Sequence, residues 1–135
     1  MSVSHTFAYD AATMTVPKFM MEITTGIGCR VNCSYCPQKT FLQAYTSDKR
    51  QLSLKGFKRA LANMPDDITI IFSGFSEPFL NNECARMVLH AYECGHNVSI
   101  FTTGTGMSVE DFRAIQHIPF GGGIPHGGFM LHLAD

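Results

Sequence analysis

Cys29, Cys33 and Cys36 form a C-x3-C-x2-C array within CRVNCSYC, and three thiolates spaced this closely can serve one inorganic centre. Iron–sulfur clusters are held by cysteine thiolates, normally four, so three from one loop ligate three irons and leave a fourth open to another molecule. Gly26 and Gly28, just upstream, tolerate the tight backbone path needed to aim the three side chains inward. Structural zinc is the other chemistry open to three cysteines and a histidine, but zinc sites pair one Cys-x2-4-Cys with a second, distant pair, and none stands out here. Five cysteines is an odd number, and the crowding of three into eight residues without a secretory signal reads as metal chemistry in a reducing compartment rather than a disulfide framework.

The elements that must position this array alternate along the chain. Residues 19–25 (FMMEITT) read as a short buried strand closed by Gly26. Ser53 can cap a helix carrying Leu54, Phe57, Leu61 and Met64 at helical spacing before Pro65 ends it. Residues 68–72 (ITIIF) form a second buried strand, and Asn81 or Asn82 can cap a helix with Ala85, Val88, Leu89 and Tyr92 on one face, stopped by Gly95. Residues 98–103 (VSIFTT) give a third strand, and Ser108-x-x-Asp111 is a capping-box pattern for a helix with Val109, Phe112 and Ile115. A glycine-rich link over residues 121–128 leads to residues 129–133 (FMLHL), a fourth strand.

Strands of this composition separated by helices, repeating at about the length of a βαβ unit, predict a parallel sheet shielded by helices on at least one face. The fold class is α/β. In such folds the loops after the strands converge on one mouth, and the cysteine array, Glu77, Thr103 and Asp135 each fall just after a predicted strand. The connection over residues 27–51 is also far longer than a common βα link, a length that signals function. A bare fourth strand would expose an unpaired edge. The reading is therefore of a chain truncated after the fourth strand, completed by a missing C-terminal half or by self-association.

CRVNCSYC resembles the cluster motif of the radical S-adenosylmethionine superfamily, including an aromatic residue before the last cysteine. Ser73-Gly74-Phe75-Ser76-Glu77-Pro78 resembles that family's Gly-Gly-Glu-Pro region, and Thr102-Thr103-Gly104 its Thr-Asn-Gly turn. The resemblance spans residues 16–135, which leaves residues 1–15 as an N-terminal extension, and it implies a partial (β/α) barrel represented by three βα units plus one strand. It further implies that Cys29, Cys33 and Cys36 hold a [4Fe-4S] cluster, whose open iron is chelated by the amino and carboxylate groups of S-adenosylmethionine. Reductive cleavage then releases a 5'-deoxyadenosyl radical that abstracts hydrogen from an organic substrate. By the same resemblance Tyr35 packs by the nucleoside, Gly74, Ser76 and Glu77 hold the methionine end, Thr103 binds the cofactor from its turn, and His132 and Asp135 lie toward the ribose. An electron donor such as flavodoxin or ferredoxin is implied as partner. The Cys36-Pro37-Gln38 ending resembles members joined to a C-terminal SPASM region, many of which modify peptides.

Other readings stand beside these. Cys84 and Cys94, with His90 and His96, read as ordinary helix residues rather than a second metal site. Glu77 can be a first-turn carboxylate supporting the helix after it, and His132 a satisfied group of the barrel interior. Gly104-Thr105-Gly106 lacks the third glycine of a dinucleotide fingerprint. Apolar residues make up 45% and charged residues 16%, which fits a packed interior and excludes a largely disordered chain. A formal net charge of -1 and the lack of a Lys/Arg run leave no electrostatic footprint for nucleic acid. No 18-residue apolar stretch is present, so a cytoplasmic protein without a membrane span is expected. The rival from another class is a non-catalytic iron–sulfur or zinc-binding fragment.

Overall fold

The structure is a computed structural model that describes residues 19–120 and 128–133. The N-terminal extension, most of the glycine-rich link and Asp135 lie outside the described residues. Four strands, β1 (Phe19–Ile23), β2 (Ile68–Phe72), β3 (Asn97–Thr102) and β4 (Phe129–Leu131), form one sheet in the order β1-β2-β3-β4, and every pairing is parallel. Four helices lie between them: α1 (Gln38–Ala44), α2 (Leu54–Leu61), α3 (Cys84–Glu93) and α4 (Val109–Ile115).

Alternation along the strands decides which side chains meet the helices. Ile68, Ile70 and Phe72 of β2 and Val98 and Ile100 of β3 are buried in one core with Phe57 and Leu61 of α2, Met87 and Val88 of α3, and Ile115 of α4. Phe57 is fully buried, its ring 5.7 Å from that of Phe72 and 6.4 Å from that of His90. Truncating such a ring removes its buried area and leaves a cavity between α2, α3 and the sheet. Phe57→Ala is expected to lower the unfolding free energy by about 3–5 kcal/mol, read as a drop in the urea midpoint with little change in slope.

Local signals explain the helix starts. Ser53 Oγ accepts from the Gly56 N–H at 3.1 Å at the head of α2. At α4, Ser108 and Asp111 form the reciprocal capping box expected from their spacing. The cap expected at Asn81 or Asn82 is different in the structure: α3 starts after Glu83, and a short 3-10 turn (Pro78–Leu80) precedes it. Asn81 is instead a buried tie. Its Oδ1 accepts from the Glu83 N–H, while its Nδ2 donates to the Thr25 and Leu52 carbonyls, both at 2.8 Å.

Several expectations are corrected. The first strand ends at Ile23 and is mostly exposed, with Phe19 at 52% and Met20 at 58%; among the described residues β1 pairs with β2 alone, and Met21 and Ile23 are the strand's residues packed against the core. The 27–51 connection contains α1, whose polar residues carry no apolar repeat. The first expected helix stops at Leu61, and Met64 lies beyond it, partly exposed. Of the three apolar positions expected to bury α4, Ile115 is buried while Val109 and Phe112 are exposed. The fourth strand ends at Leu131, so His132 lies just past it and is exposed rather than interior.

Candidate functional site

The loops that follow β1, β2 and β3 enclose one cavity of about 200 Å³. Its walls include Cys29, Cys33, Cys36 and Tyr35 from the first loop, Gly74, Ser76 and Glu77 from the second, and Thr103 from the third, with His132 beyond β4. Of the features expected to converge from their places after strands, the cysteine array, Glu77 and Thr103 line this cavity, and Asp135 lies outside the described residues.

Backbone conformation aims the first loop. Gly28 and Asn32 bracket Cys29 and both have positive φ, 92° and 56°. The Cys36 N–H donates to the Cys33 carbonyl at 3.1 Å, closing a turn that sets the last two thiols on one side. All three cysteines are half-buried and none is in a disulfide. Among the described residues no group of three or more His, Cys, Asp or Glu side chains is gathered to hold a metal ion.

The second loop is shaped by close approach. Gly74 has φ of 96°, and a Cβ there would stand 2.0 Å from Thr24 Oγ1, so a side chain at this position must displace that hydroxyl and hold a backbone conformation that favours glycine. Ser76 is buried and donates to the Gly28 carbonyl at 3.4 Å, which ties the second loop to the cysteine loop. Glu77 is 5% exposed, and its carboxylate is fully occupied by neighbouring donors. Oε2 accepts from the Thr103 N–H at 2.7 Å and the Thr103 hydroxyl at 2.9 Å, while Oε1 accepts from the Thr102 hydroxyl and, at 3.4 Å, from the Phe79 N–H. Four donors match the roughly four lone-pair sites of a carboxylate. Glu77 also caps the short 3-10 turn, so its first-turn role and its place at the cavity coexist.

Tyr35 and His132 meet across the mouth. The tyrosine hydroxyl is bonded to His132 Nε2, with the rings edge to face at 5.8 Å. Sequence reasoning placed both near the site without linking them, because they are 97 residues apart. It quoted Gln38, Phe75 and Thr102 within motifs without giving them a role, and it missed Phe101; all four also line the cavity. The available signal for Phe101 was its alternation with the core residues Val98 and Ile100, which puts it on the opposite face of β3.

The remaining cysteines lie apart from this site. Burial pushes the Cys84 thiol far up, with the negative charges of Glu77 and then Asp111 adding to it, so it remains a neutral core group. Cys94 is exposed, with its sulfur 3.6 Å from His90 Nε2. Desolvation, followed by the nearby Lys58 charge, pushes the His90 imidazole down.

No family model and no curated protein sequence matches the chain. A solved structure, that of BtrN in complex with AdoMet and 2-DOIA, matches with a TM-score of 0.57 at 19% sequence identity, over 78% of this chain and 45% of that one. The fold is a partial parallel β/α barrel. This agrees with the architecture implied by the motif resemblance, while the chain spans less than half the length of the protein it matches. No described helix is long and apolar enough to cross a membrane.

Proposed function

We propose that this chain is the cluster-bearing part of a radical S-adenosylmethionine enzyme acting on an organic substrate, with peptides among the candidates. The observation that supports it is the sharing of one cavity by the three thiols of a C-x3-C-x2-C loop and the turns after β2 and β3. BtrN, with which the chain shares its fold, was solved with AdoMet bound. In this reading Cys29, Cys33 and Cys36 hold a [4Fe-4S] cluster, and S-adenosylmethionine occupies the cavity beside it. Together these groups supply, when bound, one-electron cleavage of the sulfonium and a carbon radical able to take hydrogen from substrate.

The chain's own residues bind, orient and exclude water. Gly74 lets the second loop pass close to β1, so that backbone groups of residues 74–76 border the cavity. Glu77 fixes the Thr102 and Thr103 hydroxyls at the opposite wall and, with its acceptor sites taken by protein donors, shapes the turn beside the methionine end rather than bonding the cofactor itself. Phe75 and Phe101 add apolar surface that excludes water from part of the pocket. Tyr35 stands over the mouth, held by His132. The electron enters from a donor of the flavodoxin or ferredoxin type.

Anaerobic reconstitution with iron and sulfide, followed by dithionite and S-adenosylmethionine, tests this function. The expected outcome is 5'-deoxyadenosine detected by chromatography at an amount that grows with time. A second reading, an iron–sulfur-binding unit without turnover of its own, draws on the 45% coverage of BtrN. It predicts iron uptake with no 5'-deoxyadenosine.

A further inference from the structure

Gln38, the first residue of α1, is 6% exposed and sits between two walls of the cavity. Its Nε2 donates to the backbone carbonyl of Phe75 in the second loop and, at 3.6 Å, to Cys36 Sγ. The amide orientation is fixed by this pair, since a carbonyl oxygen requires a donor and the side-chain oxygen could not serve it. The cost appears on the other atom: Oε1 is buried without a hydrogen-bond partner. Buried polar groups are nearly always paired, and an exception at a site of chemistry calls for a reason beyond packing. A glutamine placed here only to fill space would be better replaced by an unbranched apolar residue. What the amide gains is simultaneous donation to a thiol of the cysteine array and to the loop beside it.

Hydrogen bonds to ligating sulfurs are among the factors that set a cluster's reduction potential. A donor stabilises most the state in which the sulfur carries more negative charge, and so favours reduction. We infer that Gln38 is a positioning residue that raises the reduction potential of the centre held by Cys36 and couples it to the position of the 73–77 loop. The inference rests on the function proposed above.

The test is a dithionite redox titration of the anaerobically reconstituted full chain, followed by the electron paramagnetic resonance signal of the reduced cluster. Gln38→Met keeps length and helix propensity but removes both donors. It should retain the wild-type iron content and shift the midpoint to more negative potential. Gln38→Glu is an acceptor at neutral pH and adds a negative charge, so its shift should have the same sign and be larger. Unchanged or more positive midpoints in both variants overturn the inference while leaving the function standing. Loss of iron from both variants also overturns it, because Gln38 would then serve assembly rather than potential. Wild-type protein that takes up no cluster overturns the function, and the inference with it.

Discussion

Replacing Cys33 with alanine should remove bound iron and 5'-deoxyadenosine formation together. The three cysteines share one cavity, and each is expected to hold a different iron, so the loss of one leaves an iron with only sulfide and solvent around it. Loss of an outer-shell partner alone costs about 10–100-fold in metal affinity, so loss of a ligand should cost at least about 100-fold. Iron per chain after reconstitution and desalting measures the first effect, and product formed per chain the second. Cys84→Ala is the matched control: that thiol is buried in the core and lies outside the cavity, so iron content should stay at the wild-type level. Iron retained by Cys33→Ala at the wild-type level would refute the ligand assignment.

The second large effect is expected at Glu77. Its carboxylate joins the loop after β2 to the end of β3 through Thr102 and Thr103, and the group is buried. Glu77→Ala leaves the Thr103 and Phe79 N–H groups and the Thr102 hydroxyl without their acceptor, while the Thr103 hydroxyl can still donate to Thr105 Oγ1. Stranding buried donors costs about 1–3 kcal/mol each before relaxation, so a total loss of roughly 3 kcal/mol in unfolding free energy is expected. Binding of S-adenosylmethionine to folded, reconstituted protein should also weaken by about tenfold or more, equivalent to about 1.4 kcal/mol. Glu77→Gln keeps the shape but sets an NH2 group against existing donors, so it should fall between wild type and alanine in stability. Urea unfolding and equilibrium dialysis separate the two effects. Loss of stability with unchanged cofactor affinity would make Glu77 a purely structural clamp.

The sequence disclosed most where chemistry is local. The cysteine spacing, Gly74 and Glu77 are recognisable from short segments, and the apolar runs of β2 and β3 show why those strands are central. Burial of β1 was less legible, because FMMEI is apolar enough for a core strand and only the sheet order reveals that it stands at an edge among the described residues. Helix α1 was hidden by composition: QKTFLQA has too few apolar residues for a periodic face, and Pro37 gives it no side-chain cap. Asn81 looked like a cap because its type favours one, yet its amide holds carbonyls 29 and 56 residues away. The saturation of Glu77 and the double donation of Gln38 are of the same kind, since each depends on partners brought together only by the fold.

Mössbauer spectroscopy of the 57Fe-reconstituted full chain, recorded before and after addition of S-adenosylmethionine, addresses the open iron directly. Three thiolates on a four-iron centre predict that one iron site in four changes its isomer shift when the cofactor's amino and carboxylate groups reach it, while the other three do not. A four-iron spectrum with no site altered by S-adenosylmethionine would contradict the proposed coordination.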